Sequence, residues 1–171
     1  GSGVFIPRPE TELLIDEALE YVRSLRSSQS SSAAVRIVDL CAGSGALGLA
    51  AATEIDSSYV WAVELSEQAF VYAQKNSRRV QARNYEVIQA DATLEQTLQD
   101  LNGTVDIVLS NPPYIPLTDI PEQVEARESD PDMALYGASD DGMKIPSLII
   151  QRASQLLKTG GLLLMEHDWS Q

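Results

Sequence analysis

The sequence predicts an α/β fold built on a doubly wound, mostly parallel sheet. Three observations lead there. Short apolar runs rich in branched residues alternate with helix-like segments, and strand-helix-strand repetition requires parallel strands joined by crossovers. Runs such as IVDL, DIVLS and LLLM are too continuously apolar for a strand with one wet face, so helices are expected on both sides of the sheet. A glycine-rich turn directly after the first apolar run opens into a helix, as where backbone must pass close to a ligand.

Residues 10–25 carry Leu13, Leu14, Ala18, Leu19, Tyr21 and Val22 largely on one face at helical spacing, with acids in the first turn, and predict an amphipathic helix. Residues 24–32 are mostly serine with no apolar periodicity, which marks a connector. Strands are predicted at 35–40, 59–65, 85–90, 105–110 and 161–167, and helices at 47–54, 67–80, 94–101 and 145–157. The expected organisation is a single domain, residues 1–34 forming the helix and connector and residues 35–171 the α/β core. In such sheets ligands bind beyond the carboxyl ends of the strands, near the switch in strand order, so chemistry is expected in the loops that follow strands.

Composition narrows the function classes. At 171 residues the chain is long enough to bury about two-thirds of its unfolded surface. No apolar run approaches the roughly 20 residues that span a bilayer, so no membrane association is expected. Cys41 is the single cysteine, which excludes an internal disulfide and a cysteine-built zinc site; no metal is expected, and a reducing cytoplasm fits. With 25 acidic against 12 basic residues the net charge is −13, which repels phosphate backbones and argues against direct nucleic-acid binding. Arg78, Arg79 and Arg83 cluster locally and read as a solvated helix end.

The turn after the first strand is Asp39-Leu40-Cys41-Ala42-Gly43-Ser44-Gly45-Ala46-Leu47-Gly48. Gly43, Gly45 and Gly48 match G-x-G-x-x-G, a string that alone is weakly informative. Its flanks discriminate. Asp39 puts a carboxylate beside the loop, unfavourable near a pyrophosphate and useful near the cationic amino group of a methionine moiety. Glu64 ends the second strand, placed to accept both hydroxyl hydrogens of a ribose, and Asp91 ends the third, within reach of an adenine amino group. These residues resemble the first motifs of class I methyltransferases with their Rossmann-like fold, in which the glycine loop cradles S-adenosyl-L-methionine, with S-adenosyl-L-homocysteine as product.

The fourth strand runs into Ser110-Asn111-Pro112-Pro113-Tyr114. Each proline fixes its own φ and restricts the residue before it, which holds Asn111 and the Pro112 carbonyl in extended positions. An amide or exocyclic amino nitrogen is a poor nucleophile because its lone pair is delocalised. Two acceptors, the Asn111 side-chain oxygen and the Pro112 carbonyl, can each take one N–H hydrogen and orient that nitrogen, and Tyr114 can stack on the planar group. Asn-Pro-Pro-Tyr is similar to the signature of methyltransferases that modify glutamine, adenine or guanine nitrogens. Asn111, Pro112 and Tyr114 are therefore the expected catalytic residues, Pro113 joins them in substrate binding, and Asn111 also faces the cofactor.

Two further stretches, residues 4–12 (Val4-Phe5-Ile6-Pro7-Arg8-Pro9-Glu10-Thr11-Glu12) and residues 128–142, resemble the HemK-type glutamine methyltransferases, a resemblance that extends over nearly the whole chain. It implies methylation of the side-chain nitrogen (N5) of the glutamine in the Gly-Gly-Gln motif of class I peptide chain release factors, which would be the protein partner. Phe5 can cover the cofactor and favour its positive sulfur through a cation–π contact. The long segment 115–143 has little periodicity and many acids and reads as a substrate-facing loop. Relative to that family the chain lacks the N-terminal helical docking domain and the terminal antiparallel strand pair, so it is expected to be a catalytic-domain fragment. Methylation of a ribosomal-protein glutamine or of adenine or guanine uses the same geometry and stays an alternative, as do, from another class, a nicotinamide-dependent oxidoreductase or a non-catalytic binding module.

Overall fold

The computed structural model describes residues 10–28, 33–114, 139 and 141–167. It contains β1 (Val35–Leu40), β2 (Ser58–Glu64), β3 (Tyr85–Gln89), β4 (Val105–Ser110) and β5 (Leu157–Met165). The helices are α1 (Glu10–Ser28), α2 (Ala46–Glu54), α3 (Glu67–Val80) and α4 (Lys144–Leu156). The strands form one five-stranded sheet in the order β3-β2-β1-β4-β5, every pairing parallel. The chain steps outward from β1 to β3 and then crosses to the other side of β1, which puts the switch point between β1 and β4.

Alternation along β1 divides the core. Val35 and Ile37 point into a cluster with Ile15, Ala18 and Val22 of α1 and with Leu47, Leu49 and Ala51 of α2. Val38 and Leu40 point the other way, onto Ile149, Ala153 and Leu156 of α4. Asn76 of α3 donates to the Ser44 carbonyl at 2.9 Å, which ties α3 to the loop that begins α2. β1 and β4 carry almost nothing but buried side chains, as a doubly covered parallel strand requires. β5, at an edge of the described sheet, is only half-buried along LLLM, so the expectation of full cover holds for the central strands and fails for this one.

Strand and helix expectations agree with the structure to within a few residues, with two exceptions. β5 starts at Leu157, four residues before the predicted 161, because Lys158 pairs with Asp106 and a register shift between Val105 and Ile107 absorbs Gly160, whose φ is +78°. The predicted helix at 94–101 is instead a set of turns ending in one 3-10 turn, Gln99–Leu101. Leu98 is left-handed at φ +57°, and the buried Arg152 of α4 donates from Nε to the Thr97 carbonyl at 2.9 Å and from Nη2 to Asn102 Oδ1 at 2.6 Å. The first of these bonds captures a backbone carbonyl that a helix would have used, so tertiary contact overrides local propensity. The arginine cluster resolves as expected, with Arg78 and Arg79 in the last turn of α3, where cations complement the helix dipole.

Candidate functional site

The β1 and β4 tips lie side by side. Leu40 and Ser110 are register partners, and the buried Ser110 hydroxyl donates to the Leu40 carbonyl at 2.6 Å, so the glycine loop and the Asn-Pro-Pro-Tyr segment leave the sheet from adjacent points. Beyond Leu40 the chain turns sharply: Cys41, Gly43 and Gly45 have φ of +66°, +57° and +81°. Only glycine adopts that region without cost, and a Cβ on Gly43 would meet nothing within 4 Å, so open space adjoins the loop there. Pro112 is buried, and Asn111, Pro113 and Tyr114 are half-buried. The Tyr114 hydroxyl donates to Glu166 Oε1 at 2.9 Å.

Glu64 holds the loop from the β2 tip. Its carboxylate accepts from Gly43 N and from Ser66 N, each at 2.7 Å, and burial raises its pKa against the lowering effect of these amide bonds. Asp91 at the β3 tip accepts from the Thr93 backbone N–H at 2.8 Å and from its hydroxyl at 2.6 Å. Both side chains are half-buried at the same end of the sheet as Gly43. The tip segments 41–45, 64–66, 90–93 and 110–114 contain no lysine or arginine. The Cys41 thiol is pushed up by burial first and then by Glu64, Asp39 and Asp91, which keeps it protonated and a poor nucleophile.

Asp39 is 1% exposed and lies beneath the loop, where Oδ2 accepts from Gly48 N at 2.9 Å. Asp39 Oδ1 and the Tyr85 hydroxyl are buried without a hydrogen-bond partner among the described residues. The bond to Gly48 ties the Asp39 carboxyl to the first turn of α2. Burial, with Glu64 adding to it and the Gly48 amide opposing, pushes the carboxyl up to about 7 from its ordinary 3.8. The folded protein thus binds this proton more tightly than the unfolded chain. The resulting stabilisation is complete below 3.8 and is lost as pH rises through 7, by at most about 4 kcal/mol at roughly 1.4 kcal/mol per pH unit. Asp39→Asn keeps the acceptor for Gly48 and removes the titration. Its melting temperature should gain on that of the parent between pH 5 and pH 8, whereas curves that stay parallel would show that Asp39 does not titrate there.

Phe5, Arg8 and the segment 115–138 lie outside the described residues. Among the described residues no group of three or more His, Cys, Asp or Glu is arranged to hold a metal, and no helix is long and apolar enough to cross a membrane. His167 is exposed just past β5. Two residues of the site were not expected. Asn76 had a signal only in its polarity on the inner face of an otherwise ordinary helix, and Glu166 only in being an acid that ends a strand, like Glu64 and Asp91.

A family model described as conserved hypothetical protein 95 matches residues 21–132. A release factor glutamine methyltransferase of Bifidobacterium longum is 50% identical over 100% of the chain and 58% of its own length. A 4-amino-L-phenylalanine/4-methylamino-L-phenylalanine methyltransferase of Streptomyces pristinaespiralis is 37% identical over 96% of the chain and 54% of its own length. The chain thus spans little more than half the length of these relatives. The crystal structure of a ribosomal protein L11 methylase from Lactobacillus delbrueckii subsp. bulgaricus superposes with a TM-score of 0.57 at 19% identity, covering 99% of the chain and 65% of that structure, and shows the shared Rossmann-like methyltransferase fold.

Proposed function

We propose that this chain, which belongs to the family described as conserved hypothetical protein 95, transfers a methyl group from S-adenosyl-L-methionine to the N5 nitrogen of the glutamine in the Gly-Gly-Gln motif of class I release factors. The observation that carries the proposal is the Leu40–Ser110 register, which sets a cofactor-type glycine loop against a rigid segment suited to a flat nitrogen. Similarity to a release factor glutamine methyltransferase over the full chain supports the substrate class. A cytoplasmic location follows from such a substrate.

The residues fit this cofactor on structural grounds. The crevice presents carboxylates at the β2 and β3 tips and no lysine or arginine in the tip loops, which opposes a pyrophosphate and suits a cationic, phosphate-free ligand. Gly43 and Gly45 would cradle it, Glu64 would take the ribose hydroxyls and Asp91 the adenine side; Asp39 acts through Gly48. When bound, S-adenosyl-L-methionine supplies an electrophilic methyl on a sulfonium. The protein's own task is then placement and electrostatic support. Asn111 Oδ1 and the Pro112 carbonyl each accept one hydrogen of the target amide, orient its nitrogen and support positive charge as it develops there, and the methylated nitrogen then releases one proton to solvent. Tyr114 packs on the amide plane. Pro112 and Pro113 keep the acceptors in place, so little reorganisation is required.

The test is transfer of radiolabelled methyl from S-adenosyl-L-methionine to a release factor domain containing Gly-Gly-Gln, with a Gly-Gly-Ala version as control. Labelling of the first and not the second is expected. The same assay with 4-amino-L-phenylalanine or an adenine-containing oligonucleotide in place of the protein reports the other planar nitrogens; preference for either would replace the substrate named here. Absence of S-adenosyl-L-homocysteine binding together with measurable NADH binding would remove the transferase reading.

A further inference from the structure

We infer that Glu166 is a positioning residue for the flat-nitrogen site, acting through Tyr114, so that the β5 tip forms a third wall of the crevice; this rests on the methyl-transfer reading above. Three linked bonds carry it. Ser110, the residue before Asn111, is bound to the β1 tip through its hydroxyl, which donates to the Leu40 carbonyl. The Ser110 carbonyl accepts from Glu166 N at 3.0 Å, which extends the β4–β5 ladder one residue past the end of β5 and fixes the Glu166 backbone beside the start of the Asn-Pro-Pro-Tyr segment. The Glu166 side chain then returns to that segment, its Oε1 accepting from the Tyr114 hydroxyl at 2.9 Å across 52 residues of sequence.

Pro112 and Pro113 restrict the backbone between Asn111 and Tyr114 and leave the tyrosine ring its two side-chain torsions. A hydrogen bond from the hydroxyl to a carboxylate whose own backbone is tied to Ser110 removes that freedom. The ring is then held at both ends, by the prolines at its Cα and by Glu166 at its tip. A carboxylate is a stronger acceptor than a neutral oxygen would be. A stacking surface held in one orientation admits a planar amide and disfavours a bulkier or tetrahedral group, so Glu166 bears on which nitrogen is accepted. Glu64 and Asp91 instead bond the backbone of their own tip loops, at Gly43 and Thr93.

The experiment measures kcat and KM for methyl transfer to the Gly-Gly-Gln domain, with the affinity for S-adenosyl-L-homocysteine, in the 171-residue chain and in Glu166→Ala, Glu166→Gln, Tyr114→Phe and the Glu166→Ala/Tyr114→Phe pair. The expected result is a loss of about 10-fold to 100-fold in kcat/KM for Glu166→Ala and for Tyr114→Phe. The pair should be no worse than either single change, and Glu166→Gln, which keeps an acceptor, should recover most of the loss. Affinity for S-adenosyl-L-homocysteine and the pH profile of kcat should be unchanged in all four. Multiplicative losses in the pair overturn the inference, because the two residues then act separately. A pH profile altered by Glu166→Gln overturns it too, assigning the carboxylate a proton-transfer role instead. A parallel fall in cofactor affinity marks a merely structural residue. Failure of the unaltered chain to methylate the domain while it binds S-adenosyl-L-homocysteine would instead reject the substrate reading, and this inference with it.

Discussion

Replacing Asn111 by alanine is expected to lower methyl transfer to a Gly-Gly-Gln domain by about 100-fold to 1,000-fold, while affinity for S-adenosyl-L-homocysteine changes by less than about twofold. The size of the effect follows from what the side chain supplies. A glutamine amide nitrogen has its lone pair delocalised into the carbonyl, and the reaction requires that lone pair to turn toward the methyl as positive charge builds. The Asn111 oxygen is one of two acceptors that can favour this. The other, the Pro112 carbonyl, is backbone and survives the substitution, so activity falls steeply without vanishing. The loss corresponds to about 2.7–4 kcal/mol of transition-state stabilisation. Asn111→Gln provides the contrast, since it keeps the amide and moves it by one methylene, and a displacement of about 1 Å in such a site can cost about 100-fold. Both variants should melt with the parent, because the side chain is half-exposed and is not part of either core cluster. Equal turnover by parent and Asn111→Ala would take the residue out of the mechanism.

Gly45→Ala is expected to destabilise the protein by about 2–5 kcal/mol, which for a domain of this size lowers Tm by roughly 10 °C. Two costs add. The backbone at Gly45 has φ +81°, where a Cβ is strained. An added Cβ would also stand 2.6 Å from the Tyr85 hydroxyl and 3.3 Å from Ala73 Cβ, in a region where Tyr85 and Ala73 are both buried. Gly48, in the first turn of α2, has the same close setting, with Asp39 Oδ2 at 2.7 Å and Tyr85 Cε2 at 3.0 Å from its would-be Cβ. Because Tyr85→Phe removes the atom nearest the new methyl, the Gly45→Ala/Tyr85→Phe pair should recover about half of the lost stability and leave the φ strain. Thermal unfolding of parent, single and double variants measures this directly, and a Gly45→Ala protein that melts within about 2 °C of the parent would show that the loop relaxes freely.

Both positions were legible in the sequence, for different reasons. Asn111 stands between a branched apolar run and two prolines, and proline stereochemistry acts over one or two residues, so the end of β4 and the stiffness of the next four residues could be read without knowing what lies nearby. Gly45 belonged to a strand-turn-helix pattern that announces a close backbone approach. Which atoms approach was not legible: Tyr85 begins a different strand, some 40 residues away, and it is the tyrosine together with Asp39 that fills the space beneath the loop. Which way Asp39 faces was not legible either: the carboxylate stands next to the glycine loop in sequence, and the alternation of β1 sets it beneath that loop. The helix expected at 94–101 failed similarly, since Arg152 takes the Thr97 carbonyl from 55 residues downstream. Glu166 and Asn76 carried almost no local signal, as their partners are Tyr114 and the Ser44 carbonyl.

The order of residues alone determined that this chain forms alternating strands and helices, that a glycine-rich turn follows one strand and Asn-Pro-Pro-Tyr another, and that acids stand at or just past the ends of the second and third strands. Periodicity, glycine and proline act within a few residues, so these features survive in one dimension. Only the tertiary structure decided that β1 and β4 are neighbours, that Asp39 is buried while Glu64 and Asp91 flank the crevice, and that Glu166 meets Tyr114. Each of those outcomes depends on strand order and on which face a side chain takes once distant segments compete for the same hydrogen bonds and the same core volume.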